Sequence, residues 1–131
     1  MRRVRAGRES YDPGMTDQPR RICPLADLQD PGSLGFSLQT SAGTLELFLV
    51  RRGDGVYAYR NNCPHTGAPL DWAPNRFLDM EGELIQCAMH GALFRIETGE
   101  CLRGPCRGAF LRSLPVTISD GQVFLSAGVE S

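Results

Sequence analysis

Cys63-Pro64-His65-Thr66-Gly67-Ala68-Pro69-Leu70 and Cys87-Ala88-Met89-His90-Gly91-Ala92-Leu93-Phe94 are the two stretches on which the reading of this chain turns. Each opens on a cysteine and places a histidine two or three residues later. Together they use both histidines in the protein. Each also begins where a run of strand-like residues stops, 56–60 before the first and 83–86 before the second. Two loops at strand ends can face one another and close on a single metal centre, and their backbone N–H groups are free of ladder bonding and can be aimed at it.

A lone Cys-x-His carries little information. Two Cys/His pairs that consume every histidine point to metal binding rather than to incidental buried thiols and polar imidazoles. Two thiolates and two imidazoles also suit tetrahedral zinc. Zinc sites of that composition usually keep the cysteines together and the histidines together, whereas here each loop supplies one of each. That is the arrangement a [2Fe–2S] cluster needs when one iron takes two thiolates and the other two imidazoles. The residues therefore favour such a cluster, with zinc as the rival.

Outward from the two loops the pattern is β. Ile22 starts a short strand, and Pro24 to Leu28 suits a single helical turn. Residues 35–40 and 44–51 read as strands joined at Ser41-Ala42-Gly43. In the second, Leu45, Leu47 and Leu49 alternate with Glu46, Phe48 and Val50, so both faces are partly apolar, as expected of a strand lying between two layers. Gly53-Asp54-Gly55 turns the chain into a returning strand, 56–60. Residues 77–80 and 83–86 can pair across Glu81-Gly82, 93–96 and 100–102 flank Thr98-Gly99, and 116–119 and 123–126 flank Asp120-Gly121. No segment offers a helix of three clean turns. Short strands with regular turn signals predict an all-β fold, a small antiparallel sandwich or barrel.

Composition agrees. The 131 residues fit one domain, 41% of them are hydrophobic, and 15 glycines with 9 prolines favour turns. Residues 1–20 show no apolar periodicity and predict a flexible basic tail ahead of a single domain at 21–131. Residues 1–21 hold six of the fourteen arginines but three of the fifteen acids, which leaves the body at −4. A net charge of −1 gives no case for nucleic-acid binding. No stretch approaches the roughly 20 apolar residues of a membrane span. Arg2-Arg3 is not followed by the apolar run of an export signal, so the expected compartment is the cytoplasm, where thiols stay reduced. Met15 opens a plausible second start.

In their residues the two loops resemble the cluster-binding loops of the Rieske family, and the likeness in strand order runs over about 21–131. Gly104-Pro105 resembles that family's third, covering loop. The resemblance implies a Rieske-like antiparallel β-sandwich with a cluster-binding subdomain. It also implies one [2Fe–2S] cluster, with Cys63 and Cys87 on the buried iron and His65 and His90 on the outer, redox-active iron. The 21-residue spacer from Thr66 to Gln86 is a few residues longer than in common members, and the extra length is expected in 71–76. Respiratory members add a disulfide between the loops and hydroxyl donors to the cluster sulfurs. Here those positions hold Ala68 and Met89, and Ala92 and Phe94. Fewer donors leave the reduced cluster less stabilised, so the potential is expected toward the low end of the Rieske range of about −150 to +300 mV. That resembles the ferredoxins serving aromatic-ring oxygenases.

The expected function is an electron carrier, not an enzyme, passing single electrons from a reductase to an oxygenase or similar acceptor. With both histidines committed, no two-histidine, one-carboxylate iron site remains, and no GxGxxG fingerprint is present. A redox- or iron-sensing accessory protein using the same cluster is the alternative. Cys101 and Cys106 would take part in it, although two small residues in a packed loop is the simpler reading of that pair. Cys23 reads as core, and Tyr57 and Tyr59 as packing residues. Arg103 and Arg107 read as a solvated loop or a steering pair for an acidic partner. Trp72 is equally an apolar docking rim or a cap on the spacer.

Overall fold

The computed structural model describes residues 19–40, 43–64, 68–87 and 91–126. In chain order the strands are β1 (Arg20–Pro24), β2 (Gly32–Thr40), β3 (Gly43–Arg52), β4 (Gly55–Arg60), β5 (Leu84–Gln86), β6 (Leu93–Arg95), β7 (Cys101–Arg103), β8 (Ser113–Leu114), β9 (Val116–Ser119) and β10 (Gln122–Leu125). One 3-10 turn, Leu25–Asp27, follows β1 where Pro24 to Leu28 suggested it. Among the described residues three antiparallel sheets result: β1-β10-β9, β2-β3-β4-β8 and β5-β6-β7.

β3 organises the molecule. Leu45, Leu47 and Leu49 point one way, into a cluster with Cys23, Leu28, Ala58, Leu114, Val123 and Leu125, which joins the four-stranded sheet to the β1-β10-β9 sheet. Phe48 and Val50 point the other way, into a second cluster with Tyr59, Phe77, Ile85, Phe94 and Ile96, which carries the β5-β6-β7 sheet. Successive residues of a strand face opposite sides, so one strand serves both cores. All five of these β3 side chains are fully buried. Phe48 stacks on Phe77 with ring centroids 4.3 Å apart and lies 5.9 Å from Tyr59, forming the aromatic centre of the second core.

Two expectations shift in detail. Residues 77–80 do not form a strand. Only Leu78 bridges Ile85, with Gln86 N–H donating to the Phe77 carbonyl (2.8 Å) and Asp79 N–H to the Leu84 carbonyl (2.9 Å). The segment instead docks on β2: Asn75 Oδ1 accepts from Gly35 N–H at 2.8 Å, and the Ser33 hydroxyl donates to the Asn75 carbonyl and accepts from Phe77 N–H. Phe77 N–H is thus committed to a side chain, and the pairing expected across Glu81-Gly82 is present but reduced to one bridge and its two flanking bonds. The two-residue strand β8 was not foreseen. It is too short for a period and is held by its pairing with Ala58 and Tyr59.

Candidate metal centre

Tyr59 and Asn61 position the first loop. β4 delivers the chain into the second core at Tyr59, whose hydroxyl donates to the Ile96 carbonyl at 2.6 Å. This bond ties the strand before the first loop to the end of the β6 segment that follows the second. Burial, then the nearby Glu97 and Tyr57, pushes the Tyr59 phenol up to about 12. Gly99, at φ +78°, lies against the same ring. A Cβ there would stand 2.8 Å from Tyr59 Cε1, so the turn before β7 sits directly on the phenol.

Asn61 holds the loop closed. Its backbone N–H donates to the Glu46 carbonyl, its Oδ1 accepts from Leu70 N–H at 2.7 Å, and its Nδ2 reaches Asp71 Oδ1 at 3.3 Å. The two ends of the stretch 61–71 are thereby pinned to one side chain. Trp72 is 43% exposed. Its indole N–H donates to the Leu78 carbonyl, Arg76 lies 5.7 Å over its ring, and Trp72 N–H donates to the Arg76 carbonyl. These contacts fold Trp72 over the spacer, where Ala73 bridges Arg76 in a tight turn.

The two loops close in the same way. Cys63 N–H donates to the Ala68 carbonyl at 2.7 Å, and Cys87 N–H donates to the Ala92 carbonyl at 2.8 Å. Each bond joins a cysteine to the alanine five residues on, with glycine before the alanine in both loops, Gly67 and Gly91. Both cysteine side chains are buried and belong to one core cluster. His65 and His90, together with Thr66, Gly67, Ala88 and Met89, lie outside the described residues.

The covering loop follows β7. Gly104, at φ +110°, comes so close to the second loop that a Cβ there would stand 2.9 Å from both Cα and Cβ of Ala92. Cys101 and Cys106 flank it, and their sulfurs are 2.9 Å apart. The Cys106 thiol is pushed up to about 12, first by burial and then by its hydrogen bond to Cys101. Cys23 is a buried core residue, as expected. Arg103 and Arg107 are exposed. Asn61, Asn75 and the Tyr59 hydroxyl had no place in the sequence reading, whereas Gly104 did. Two asparagines directly before Cys63 were the available signal for the first.

Fold and site define a small all-β protein in which two cysteine loops of matching backbone closure place both thiols in one buried core cluster, with Gly104 packed against the second. Residues 18–117 match the Rieske [2Fe–2S] domain. The ferredoxin component of a p-cumate 2,3-dioxygenase system from Pseudomonas putida is 39% identical over 107 residues, 82% of this chain and 84% of that protein. Among solved structures, the ferredoxin of carbazole 1,9a-dioxygenase from Nocardioides aromaticivorans IC177 superposes with a TM-score of 0.68 at 27% identity, over 85% of this chain and 99% of that one. A complex of reduced oxygenase and oxidised ferredoxin in carbazole 1,9a-dioxygenase matches with a TM-score of 0.66 at 25% identity, over 86% of this chain and 97% of that one. The chain belongs to the Rieske [2Fe–2S] family. It binds one [2Fe–2S] cluster and acts as an electron carrier rather than a catalyst. Among the described residues, no helix is long and apolar enough to cross a membrane.

Proposed function

We propose that Cys63, His65, Cys87 and His90 are the four ligands, and that the protein passes single electrons from a reductase to a ring-hydroxylating oxygenase. The observation that carries the ligand set is the matched closure of the two loops, each with its cysteine N–H bonded to the alanine carbonyl five residues on. Two buried thiols in one core cluster, each in a loop that also supplies an imidazole, fit a cluster with mixed ligation. When bound, the cluster supplies reversible one-electron chemistry. The chain's own part is to bury the two sulfurs, to exclude water under Gly104 and Ala92, and to hold both loops rigid through Asn61 and Tyr59. Rigid ligation keeps reorganisation small when the charge changes.

The oxygenase partner is inferred from the dioxygenase systems to which the similar ferredoxins belong. A cytoplasmic location accords with five cysteines of which none is in a disulfide. Residues 1–20 are proposed as a tail and 21–131 as the cluster domain.

The test is anaerobic reduction of the purified protein by NADH and a flavoprotein reductase, followed by mixing with an oxidised Rieske oxygenase. The visible bands should bleach in the first step and return in the second, one electron per chain. Failure to take up an electron reversibly would overturn the carrier reading.

A further inference from the structure

We propose that Cys101 and Cys106 form a reversible disulfide site in the loop that covers the cluster, separate from the four ligands and filled by exchange with a low-molecular-weight disulfide. The two sulfurs stand 2.9 Å apart, about 0.9 Å beyond the length of a disulfide bond, so closure needs only a small movement of each. Cys101 Sγ also reaches the Arg103 carbonyl at 3.3 Å, and the two sulfurs face one another at hydrogen-bond distance.

The surroundings exclude the obvious alternatives. Among the described residues no group of three or more His, Cys, Asp or Glu side chains could hold a metal ion, so the pair is not part of a second metal site among them. Nor is it a chance meeting of distant segments. Cys101 N–H donates to the Ala109 carbonyl, Gly108 N–H to the Cys101 carbonyl, Ala109 N–H to the Cys106 carbonyl and Arg107 N–H to the Gly104 carbonyl, so the backbone of the loop holds the two thiols face to face. Cys106 is the more exposed of the two, at 6% against 1%, and exposed Arg103 and Arg107 flank it. These cations favour approach of an anionic disulfide such as oxidised glutathione.

The exchange balances as follows. The Cys106 thiol, largely protonated at neutral pH, gives up its proton to solvent as its sulfur attacks one sulfur of oxidised glutathione, breaking the S–S bond and releasing one glutathione thiolate, so the exchange is slow. The Cys101 sulfur then attacks the mixed disulfide and releases the second. The two protons lost by the protein thiols end on the two glutathione molecules, the protein pair is oxidised by two electrons, and the reagent is reduced by two. The product ring spans 101–106 and contains Gly104, whose backbone abuts Ala92 of the second cysteine loop. Oxidation therefore closes this loop on itself and stiffens the segment that carries Gly104 against Ala92.

The chain carries its own readout. Trypsin cuts after Arg95, Arg103 and Arg107, so Cys101 and Cys106 fall in different peptides, 96–103 and 104–107. Holoprotein is incubated anaerobically with excess oxidised glutathione, quenched in acid, alkylated and digested without reductant. The two peptides should be recovered mainly as one species, two hydrogens lighter than their sum, that separates on adding dithiothreitol, while the visible absorbance of the holoprotein stays unchanged. In Cys106→Ser the linked species should vanish with the visible absorbance retained. Recovery of both peptides alkylated would overturn the proposal. So would linkage to Cys23, Cys63 or Cys87, or cross-linking confined to chains whose visible bands have bleached. These outcomes do not depend on which protein accepts the electron.

Discussion

At the scale of single residues, the region around the two cysteine loops is held by a few polar atoms in an otherwise apolar core. Tyr59→Phe deletes the hydroxyl that reaches the Ile96 carbonyl and leaves a buried acceptor unpaired, a loss of about 1–3 kcal/mol measurable by chemical denaturation. Gly104→Ala faces both a left-handed backbone and a 2.9 Å approach to Ala92. It should destabilise the covering loop by at least about 1–2 kcal/mol and speed loss of the visible bands in chelator. Ala92→Ser and Phe94→Tyr should each raise the potential, and together raise it further, because added donors stabilise the sulfur charge that grows on reduction. Protein-film voltammetry reads this directly, and an unchanged potential in both variants would mean that the hydroxyls do not reach the sulfurs. The proposed ligands were legible in the sequence because cysteine and histidine at loop spacing carry their own chemistry. Asn61 and Asn75 were not, because an asparagine before a cysteine or in a spacer looks like any turn residue until its side chain is seen bonding across the chain to Leu70 and Gly35.

At the scale of elements, strand periodicity carried β3 well, since three leucines on one face with Phe48 and Val50 on the other admit only a strand shared by two cores. The hairpin β9–β10 was equally plain, because Asp120-Gly121 punctuates two runs that pair residue for residue. Residues 77–80 and β8 were misjudged or missed for a common reason. Both segments are short, and their conformation is decided by partners far along the chain: Ser33 and Gly35 for the first, Ala58 and Tyr59 for the second. The β5-β6-β7 sheet is built of three-residue strands and depends on its packing over Phe48, Tyr59 and Phe77. Phe77→Ala, which removes the ring stacked on Phe48, should cost about 3–5 kcal/mol. It should also release the cluster subdomain before the β1-β10-β9 sheet, a sequence of events that hydrogen exchange would resolve.

At the scale of the whole molecule, pH links fold and site. The phenol of Tyr59 ionises near its ordinary value once unfolded but only near 12 when folded. Between those two values the unfolded chain holds fewer protons, so stability is fully present below about pH 10 and falls as the pH rises toward 12. The raised Cys106 thiol acts in the same direction. Tyr59→Phe should flatten this alkaline decline while lowering stability at neutral pH, a pairing that thermal melts across the range would show. The measurement that bears most directly on the central claim is the metal content and reduced-state spin resonance of the purified protein. About two irons and two acid-labile sulfides per chain are expected, with a reduced-state signal of a mixed histidine and cysteine cluster. That signal should be altered in His65→Cys and His90→Cys, which should also lower the potential because thiolate is anionic and imidazole neutral. It should be lost in Cys63→Ser and Cys87→Ser. One zinc per chain without sulfide, or a signal unchanged in all four variants, would contradict the account.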